Sequence, residues 1–421
     1  MNGNTRVRTA LEYKDGPVPV DFGGMPTTGI HVTIIEAVRD YYGLEKRPVK
    51  VHEPYQMLGL LDDDLKEVLG VDSEILWNPY TFYGFKMGDW KEWRAPWGQE
   101  LLVPGEFNVT GDASGAIFMY PEGDTAVPPS AVMPAGGFFF DSITRQPPID
   151  DDALDPEDNL EEFGPVGEDV LEYLRLESER IRNSGRYVVA NFGGTAIGDI
   201  ACVPAPALKA PRGIRDVTEW YVSTAMRQDY LHQVFEKQTE IALVNLKKIH
   251  EIVGDVVGAA YICGTDFGTQ NGPFCAPQLF TDLYMLYYKK INDWVHANTK
   301  WKSFKHSCGS VEPFMALFID AGFDILNPLQ FSAAGMDPQF IKQTYGRRIV
   351  FWGGGVDTQH VLPFGTPDDV ERQVYERCSI LSKGGGFVFN TIHNVQARTP
   401  VENFVRMIDT VHRFNRERGF V

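Results

Sequence analysis

From residue 187 onward, apolar residues fall into short runs, at 187–191, 256–263, 323–327, 348–352 and 386–390, and the same spacing places a further, more polar strand at 302–306. Between the runs, apolar residues recur at helical spacing, predicting helices at 170–183, 217–253, 277–296, 311–320, 338–344, 367–382 and 400–415. A run that is apolar throughout, rather than at every second position, belongs to a strand covered on both faces. Such strands in strict alternation with helices predict a parallel sheet with crossover helices, and this many units predict a (β/α)8 TIM-type barrel.

The first half lacks that regularity. A turn-rich stretch with Gly23-Gly24 leads into a helix expected over 30–42, for which Thr27 or Thr28 is the candidate cap. The glycine pair either makes a turn or brings backbone close to a ligand. A strand is expected at 49–54, and a helix at 57–69 with the acidic run Asp62-Asp63-Asp64 on a solvated face. From 75 to 140 the pattern is one of short β segments dense in aromatic residues: Trp77, Tyr80, Phe82, Tyr83, Phe85, Trp90, Trp93 and Trp97. These either fill a core or line a pocket for a flat substrate, and Trp77 is the substrate-binding candidate among them. An acidic surface connection spans 147–169. The expected organisation is one barrel domain over 1–421, with an N-terminal segment, 1–73, and an insertion, 79–160.

Composition narrows the function. Of 421 residues, 43% are hydrophobic and 23% charged, the balance of a globular protein with ample core. No run has the length and apolarity of a membrane helix, and the first residues lack a secretory apolar stretch, so a cytoplasmic location is expected. A formal net charge of −18 disfavours nonspecific contact with nucleic acid or anionic membrane. The five cysteines, Cys202, Cys263, Cys275, Cys308 and Cys378, are odd in number and dispersed, which suits reduced thiols or metal ligation better than a disulfide framework.

Reactive groups of a (β/α) barrel sit at the C-terminal strand ends and in the loops that follow. The predicted strand ends carry Asn191, Gly193 and Gly194; Thr265 to Asn271; His306 and Cys308; Asn327 and Gln330; Gly353 to Gln359; and Asn390 to Gln396. Gly, Asn and Asp are ordinary turn residues, but a turn does not require histidine. His306 and Cys308 are two apart on an extended strand, so both side chains point to one side, and Gly309 lets the chain turn beneath them. His393 follows the last predicted strand and opens onto the same barrel mouth. One thiolate, two imidazoles and an open position make a catalytic zinc set. A buried thiol beside hydrogen-bonded histidines is the alternative.

From about Pro17 onward, and most strongly over 256–415, the chain resembles the uroporphyrinogen decarboxylase superfamily. The resemblance is carried by Asp266-Phe-Gly-Thr-Gln270 with Pro277-Gln-Leu-Phe280, His306-Ser-Cys-Gly-Ser-Val311, Gly322-Phe-Asp-Ile-Leu-Asn-Pro328, Phe351-Trp-Gly-Gly-Gly-Val-Asp357 and Thr399-Pro-Val-Glu-Asn403. True decarboxylases of the family hold their porphyrinogen carboxylates with an arginine-rich segment near the N-terminus; the corresponding Asp21 to Gly29 has no arginine. The zinc-dependent methyltransferases of the family bind zinc with His-x-Cys and a cysteine before Thr-Pro-x-Glu-Asn. His306 and Cys308 match the first pair, and the third position falls on His393, a departure from the usual cysteine that true decarboxylases share.

The resemblance implies a zinc enzyme that transfers a methyl group to or from the cobalt of a corrinoid (methylcobalamin) carried by a partner protein, within a barrel family that often forms homodimers. The aromatic insertion points toward an aryl methyl ether as methyl donor, and so to O-demethylation. Asp266 and Asp357 are the catalytic candidates, either orienting the zinc-bound histidines or protonating a leaving oxygen; bracing of loops is the alternative. Gln270, Asn327 and Gln330 are expected to bind polar groups of the substrate. The competing readings are a zinc-free lyase using His393 and Asp266 as acid and base, and a noncatalytic binding barrel.

Overall fold

The computed structural model describes residues 1–23 and 25–420. Its central feature is a curled sheet of seven parallel strands: β1 (Ser73–Trp77), β2 (Tyr187–Asn191), β3 (Ala259–Cys263), β4 (Lys302–His306), β5 (Ile325–Asn327), β6 (Val350–Trp352) and β7 (Phe387–Val388). Each strand pairs with the next in sequence, as single winding of β–helix units in one direction requires. The architecture is α/β and TIM-like. Pro19 to Asp21 lies between the two edges of this sheet: Asp21 N–H donates to Phe389 (2.9 Å), Phe389 N–H to Pro19 (2.8 Å), and Asp72 N–H to Val20 (2.8 Å).

The strands alternate their side chains between two apolar layers. Ile75, Val189, Ala259, Phe304, Ile325, Val350, Trp352 and Val388 fill the inside of the curl, where Val7, Ala10 and Leu11 of the helix Gly3–Leu11 join them. Leu76, Val188, Ala260, Ile262, Leu326, Phe351 and Phe387 face the surrounding helices. Burial on both faces explains why most of the strands read as apolar runs; β4 is the exception, its buried Lys305 ammonium donating to the Thr265 and His306 carbonyls. The helix Gly3–Leu11 had no such signal, since only three of its nine residues are buried.

Three expectations about the helices are corrected. The helix expected at 217–253 is two, Val217–Met226 and Gln228–Val253, broken at Arg227, whose guanidinium is drawn to Asp151 (2.5 Å) and Glu219 (3.4 Å). The helix expected at 57–69 shortens to Asp63–Leu69, because Leu58–Gly59 pairs as a strand with Val49–Glu53. Gly59 is needed there: a Cβ would sit 2.6 Å from both Ile35 and Val49. The helix Val32–Tyr41 is capped by the His31 ring, which accepts from Thr33 N–H (3.2 Å), instead of by Thr27 or Thr28.

The polypeptide between β1 and β2 builds antiparallel structure. Val109–Gly111, Ile117–Met119, Ala131–Met133 and Asp141–Ser142 form a four-stranded meander. Lys91–Arg94 and Glu100–Val103 form a hairpin, and Glu100–Val103 pairs in parallel with Val49–Glu53. The N-terminal segment and the insertion therefore share one sheet. None of the described helices is long and apolar enough to cross a membrane.

Candidate metal centre and cavity

Strand β4 brings its last residue to the rim with the imidazole on the inner side, two positions after the inward-facing Phe304. The register sets His306 opposite Asn327 of β5. The Asn327 amide Nδ2 donates to the Trp352 carbonyl (2.8 Å), which turns its Oδ1 toward His306 Nδ1 (2.6 Å). Because that oxygen can only accept, Nδ1 of His306 carries the proton and Nε2 keeps a free lone pair. Nε2 faces Cys308 Sγ at 3.1 Å.

The turn that carries Cys308 is tightly held. Gly309 has φ +84°, a conformation L side chains rarely adopt, and a Cβ on it would lie 2.4 Å from the backbone of Gly268. Asp266 accepts the Cys308 N–H (2.6 Å), and Gln330 Oε1 accepts the Gly309 N–H (2.8 Å). Gln330 Nε2 in turn donates to Gln270 Oε1 (2.9 Å), and Gln270 Nε2 to the Ser332 carbonyl.

The loop after β7 brings in His393, whose ring lies 5.6 Å from that of His306, nearly perpendicular to it. The loop is anchored to the N-terminal segment: Asn394 donates to the Pro26 carbonyl (2.6 Å) and accepts from Gly29 N–H (2.6 Å). One ligand atom from each of His306, Cys308 and His393 falls within 4.8 Å of the others. Two neutral imidazoles and one thiol, each already oriented, fit the donor preferences of zinc. Burial pushes both histidines down to about 4, so neither is protonated at neutral pH; it pushes the Cys308 thiol well above its usual range, so metal binding must displace its proton.

His306, His393 and Asp266 open onto a cavity of about 450 Å3. Its other walls come from the irregular half of the chain: His52, Glu53, Tyr55 and Gln56, then Trp77, Asn78, Tyr80, Phe82 and Met87, with Asn191, Asp199 and Tyr261 from the barrel side. No lysine or arginine lines it among the described residues. Burial raises the Glu53 carboxyl to about 7 and the Asp199 carboxyl to about 6, raises Asp266 as well, and lowers His52 to about 3.

Not every predicted residue reaches this cavity. Trp77 and Asp266 line it; Gln270, Asn327 and Gln330 do not, and their polar groups are spent on His306 and on the Cys308 turn. Asp357 stands apart: its carboxylate accepts from Gln359 N–H (2.7 Å) and contacts His360 Nδ1 (3.1 Å), bracing its own loop. His52, Glu53, Tyr55 and Asp199 went unread as site residues. His52-Glu53-Pro54 at the end of a predicted strand was the available signal, but an antiparallel strand outside the barrel gave no reason to place it at the mouth.

Comparison with known proteins bears on the family and the fold. Residues 205–414 match the family described as uroporphyrinogen decarboxylase (URO-D). The structure aligns with that of a methyltransferase from Methanosarcina mazei over 98% of this chain and 99% of the other, with a TM-score of 0.52 at 14% identity. The C-terminal half of the chain is thus similar to the uroporphyrinogen decarboxylase family, and a methyltransferase is among the structural neighbours of the whole. A further alignment, to an Ignisphaera aggregans GH53 catalytic domain, has a TM-score of 0.30 at 12% identity over 94% of this chain and 99% of that one, too remote to bear on fold or function. No curated protein matches the sequence.

Proposed function

We propose that this protein is a zinc-dependent methyltransferase that passes a methyl group between a small methylated compound and the cobalt of a corrinoid carried by a partner protein. The convergence of His306, Cys308 and His393 at the edge of a closed-in cavity carries the reading. A zinc ion on these three residues would supply Lewis-acid activation of the heteroatom that gives up or accepts the methyl group. Asn327 keeps the His306 Nε2 free of a proton, and Asp266 fixes the backbone from which the Cys308 thiolate is presented. A heteroatom that loses its methyl group keeps the bonding pair and takes up a proton, which Asp266, on the cavity wall 3.9 Å from His306 Nε2, is placed to deliver. Trp77, Tyr55 and Phe82 supply the apolar wall on which the methylated compound rests, an aryl methyl ether being the first class to try. In the same reading Pro19 to Asp21 serves as an eighth strand that closes the barrel.

The test is metal analysis of the purified protein together with a spectrophotometric assay of cobalt methylation, using reduced corrinoid protein and methylated donors. About one zinc per chain and a Cys308→Ser variant without zinc or activity are expected. Full activity in the metal-free protein would falsify the assignment. The metal-free lyase reading places Asp266 and His393 as acid and base, and both do line the cavity. A wall without lysine or arginine, however, offers nothing to a polycarboxylate substrate.

A further inference from the structure

The cavity wall opposite in kind to the metal corner has a charge character that a neutral aryl ether does not use. Glu53 accepts the N–H groups of Tyr55 (3.0 Å) on one carboxylate oxygen and of Gln56 (2.8 Å) on the other. Asp199 does the same with Ala201 (3.0 Å) and Gly264 (3.1 Å). An arrangement in which both oxygens accept suits an ionised carboxylate, because a protonated one must donate from one of them. Yet both residues are buried, and neither forms an ion pair with any lysine, arginine or histidine among the described residues. A buried carboxylate without a paired cation is unfavourable; the Lys305 ammonium acts on Asp199 only from beyond ion-pair distance and no cation acts on Glu53, so these two suit a positive charge brought by a ligand.

The surroundings specify what sort of cation. Tyr55 and Phe82 pack with ring centres 5.4 Å apart, and Trp77 lies edge-on to His52 at 4.9 Å, all on the same cavity. Aromatic faces attract alkylated ammonium groups, which are large, weakly hydrated and unable to satisfy many hydrogen-bond acceptors. His52 itself is 4% exposed, has no partner on either ring nitrogen and faces the cavity, so its wall also holds polar capacity for a ligand. A hydrated metal cation would instead call for many oxygen donors and no aromatic rings.

We infer that the substrate of this cavity bears an alkylated ammonium group, held by Glu53, Asp199 and the aromatic wall, while a separate heteroatom of the same molecule meets the metal corner and exchanges the methyl group. The inference rests on the cavity being the substrate site of the methyl transfer proposed above. It replaces a neutral methoxylated aromatic with a cationic compound, a choline-like ether or thiol being the simplest form.

The test uses the zinc-supplied full chain and two probes of one shape: choline and its uncharged carbon analogue, 3,3-dimethylbutan-1-ol, with guaiacol as the neutral methoxylated aromatic. In calorimetric titration choline is expected to bind at least about tenfold more tightly than the analogue, as charge recognition by rings and carboxylates requires. Glu53→Gln should remove most of that preference and leave the analogue unaffected. Equal affinity for the two shapes, no choline binding at millimolar concentration, or tighter binding of guaiacol overturns the inference. The first comparison needs no variant, so a misfolded mutant cannot obscure it. Zinc content and cobalt methylation on the same preparation separate the two readings. Zinc and methyl transfer from a neutral donor without charge preference reject the ammonium substrate alone, whereas a chain that binds choline but neither zinc nor a methyl group rejects the methyl transfer.

Discussion

The two halves of the cavity are built on opposite terms. The metal corner stands on parallel strand ends and the loops after them, and hydrogen bonds hold it in place: Asn327 holds His306, Asp266 and Gln330 hold the Cys308 turn, and Asn394 ties the His393 loop to the N-terminal segment. The wall of His52, Glu53 and Tyr55 comes from a strand outside the barrel and the turn after it, joined by Trp77 at the end of β1, and it leaves both His52 nitrogens and the Trp77 indole N–H unpartnered. Buried polar groups are ordinarily paired. The contrast assigns reactivity to the satisfied corner, where rigid orientation matters, and recognition to the unsatisfied wall, where the ligand completes the hydrogen bonding.

The sharpest way to break this comparison is to remove a ligand atom. Cys308→Ser or His306→Ala should take zinc from about one per chain to near none and abolish methyl transfer, while binding of a substrate-shaped probe to the wall survives within a few-fold. Loss of both together would show that the two halves are not separable. Next in size, Asn327→Ala leaves His306 Nδ1 without its acceptor. Zinc affinity is expected to fall by about 10- to 100-fold, the usual effect of losing a partner that orients a metal-bound histidine, as measured by competition with a chromophoric chelator. On the wall, Trp77→Ala should raise KM by about tenfold with zinc content unchanged, since the lost contact is aromatic.

Acid titration probes the same contrast through stability. Burial holds His31 at about 4 and His52 at about 3, below the ordinary 6.5. The unfolded chain therefore takes up protons that the folded one refuses, and stability that is complete above pH 6.5 is lost as the pH falls toward 4 and 3. Glu53 and Asp199, raised to about 7 and about 6, work the other way, because the folded state binds their protons first as the pH falls. His52→Phe should accordingly lessen the drop in Tm between pH 7 and pH 4, by about one degree for each kcal/mol in a chain of this size. An unchanged drop would mean that His52 takes up its proton in the folded state. The smallest effect is expected at Asp357→Asn, which should leave zinc content and kcat/KM within about twofold and lower stability by about 1 kcal/mol through its loop alone.

How far the sequence could be read follows from how local each signal is. Strand β2 was legible to the residue, at 187–191, because a strand covered on both faces is apolar along most of its length; β4, Lys302–His306, was legible only from its place in the alternation with helices, since Phe304 is its one apolar residue. The pair His306 and Cys308 before Gly309 was legible from local spacing, although the strand ends at His306 and Cys308 lies in the turn that follows, where Gly309 takes a left-handed conformation. Gln270, Asn327 and Gln330 were visible as strand-end polar residues, but their use was not: a side chain that points at substrate and one that points at a metal ligand have the same sequence. Asp357 was visible for the same reason and braces only its own loop.

What the sequence determined by itself, then, is the repeating barrel unit, the order of its strands and the pair His306 and Cys308, all set by periodicity and spacing over a few residues. The tertiary structure alone decided that Pro19 to Asp21 bridges the sheet edges, that His393 comes within ligand distance of His306, and that Glu53, 253 residues before His306, stands on the same cavity. These depend on pairings between segments far apart in the chain, such as Val49–Glu53 with Glu100–Val103, whose register is set by side-chain packing across the sheet and leaves no mark in either segment read alone.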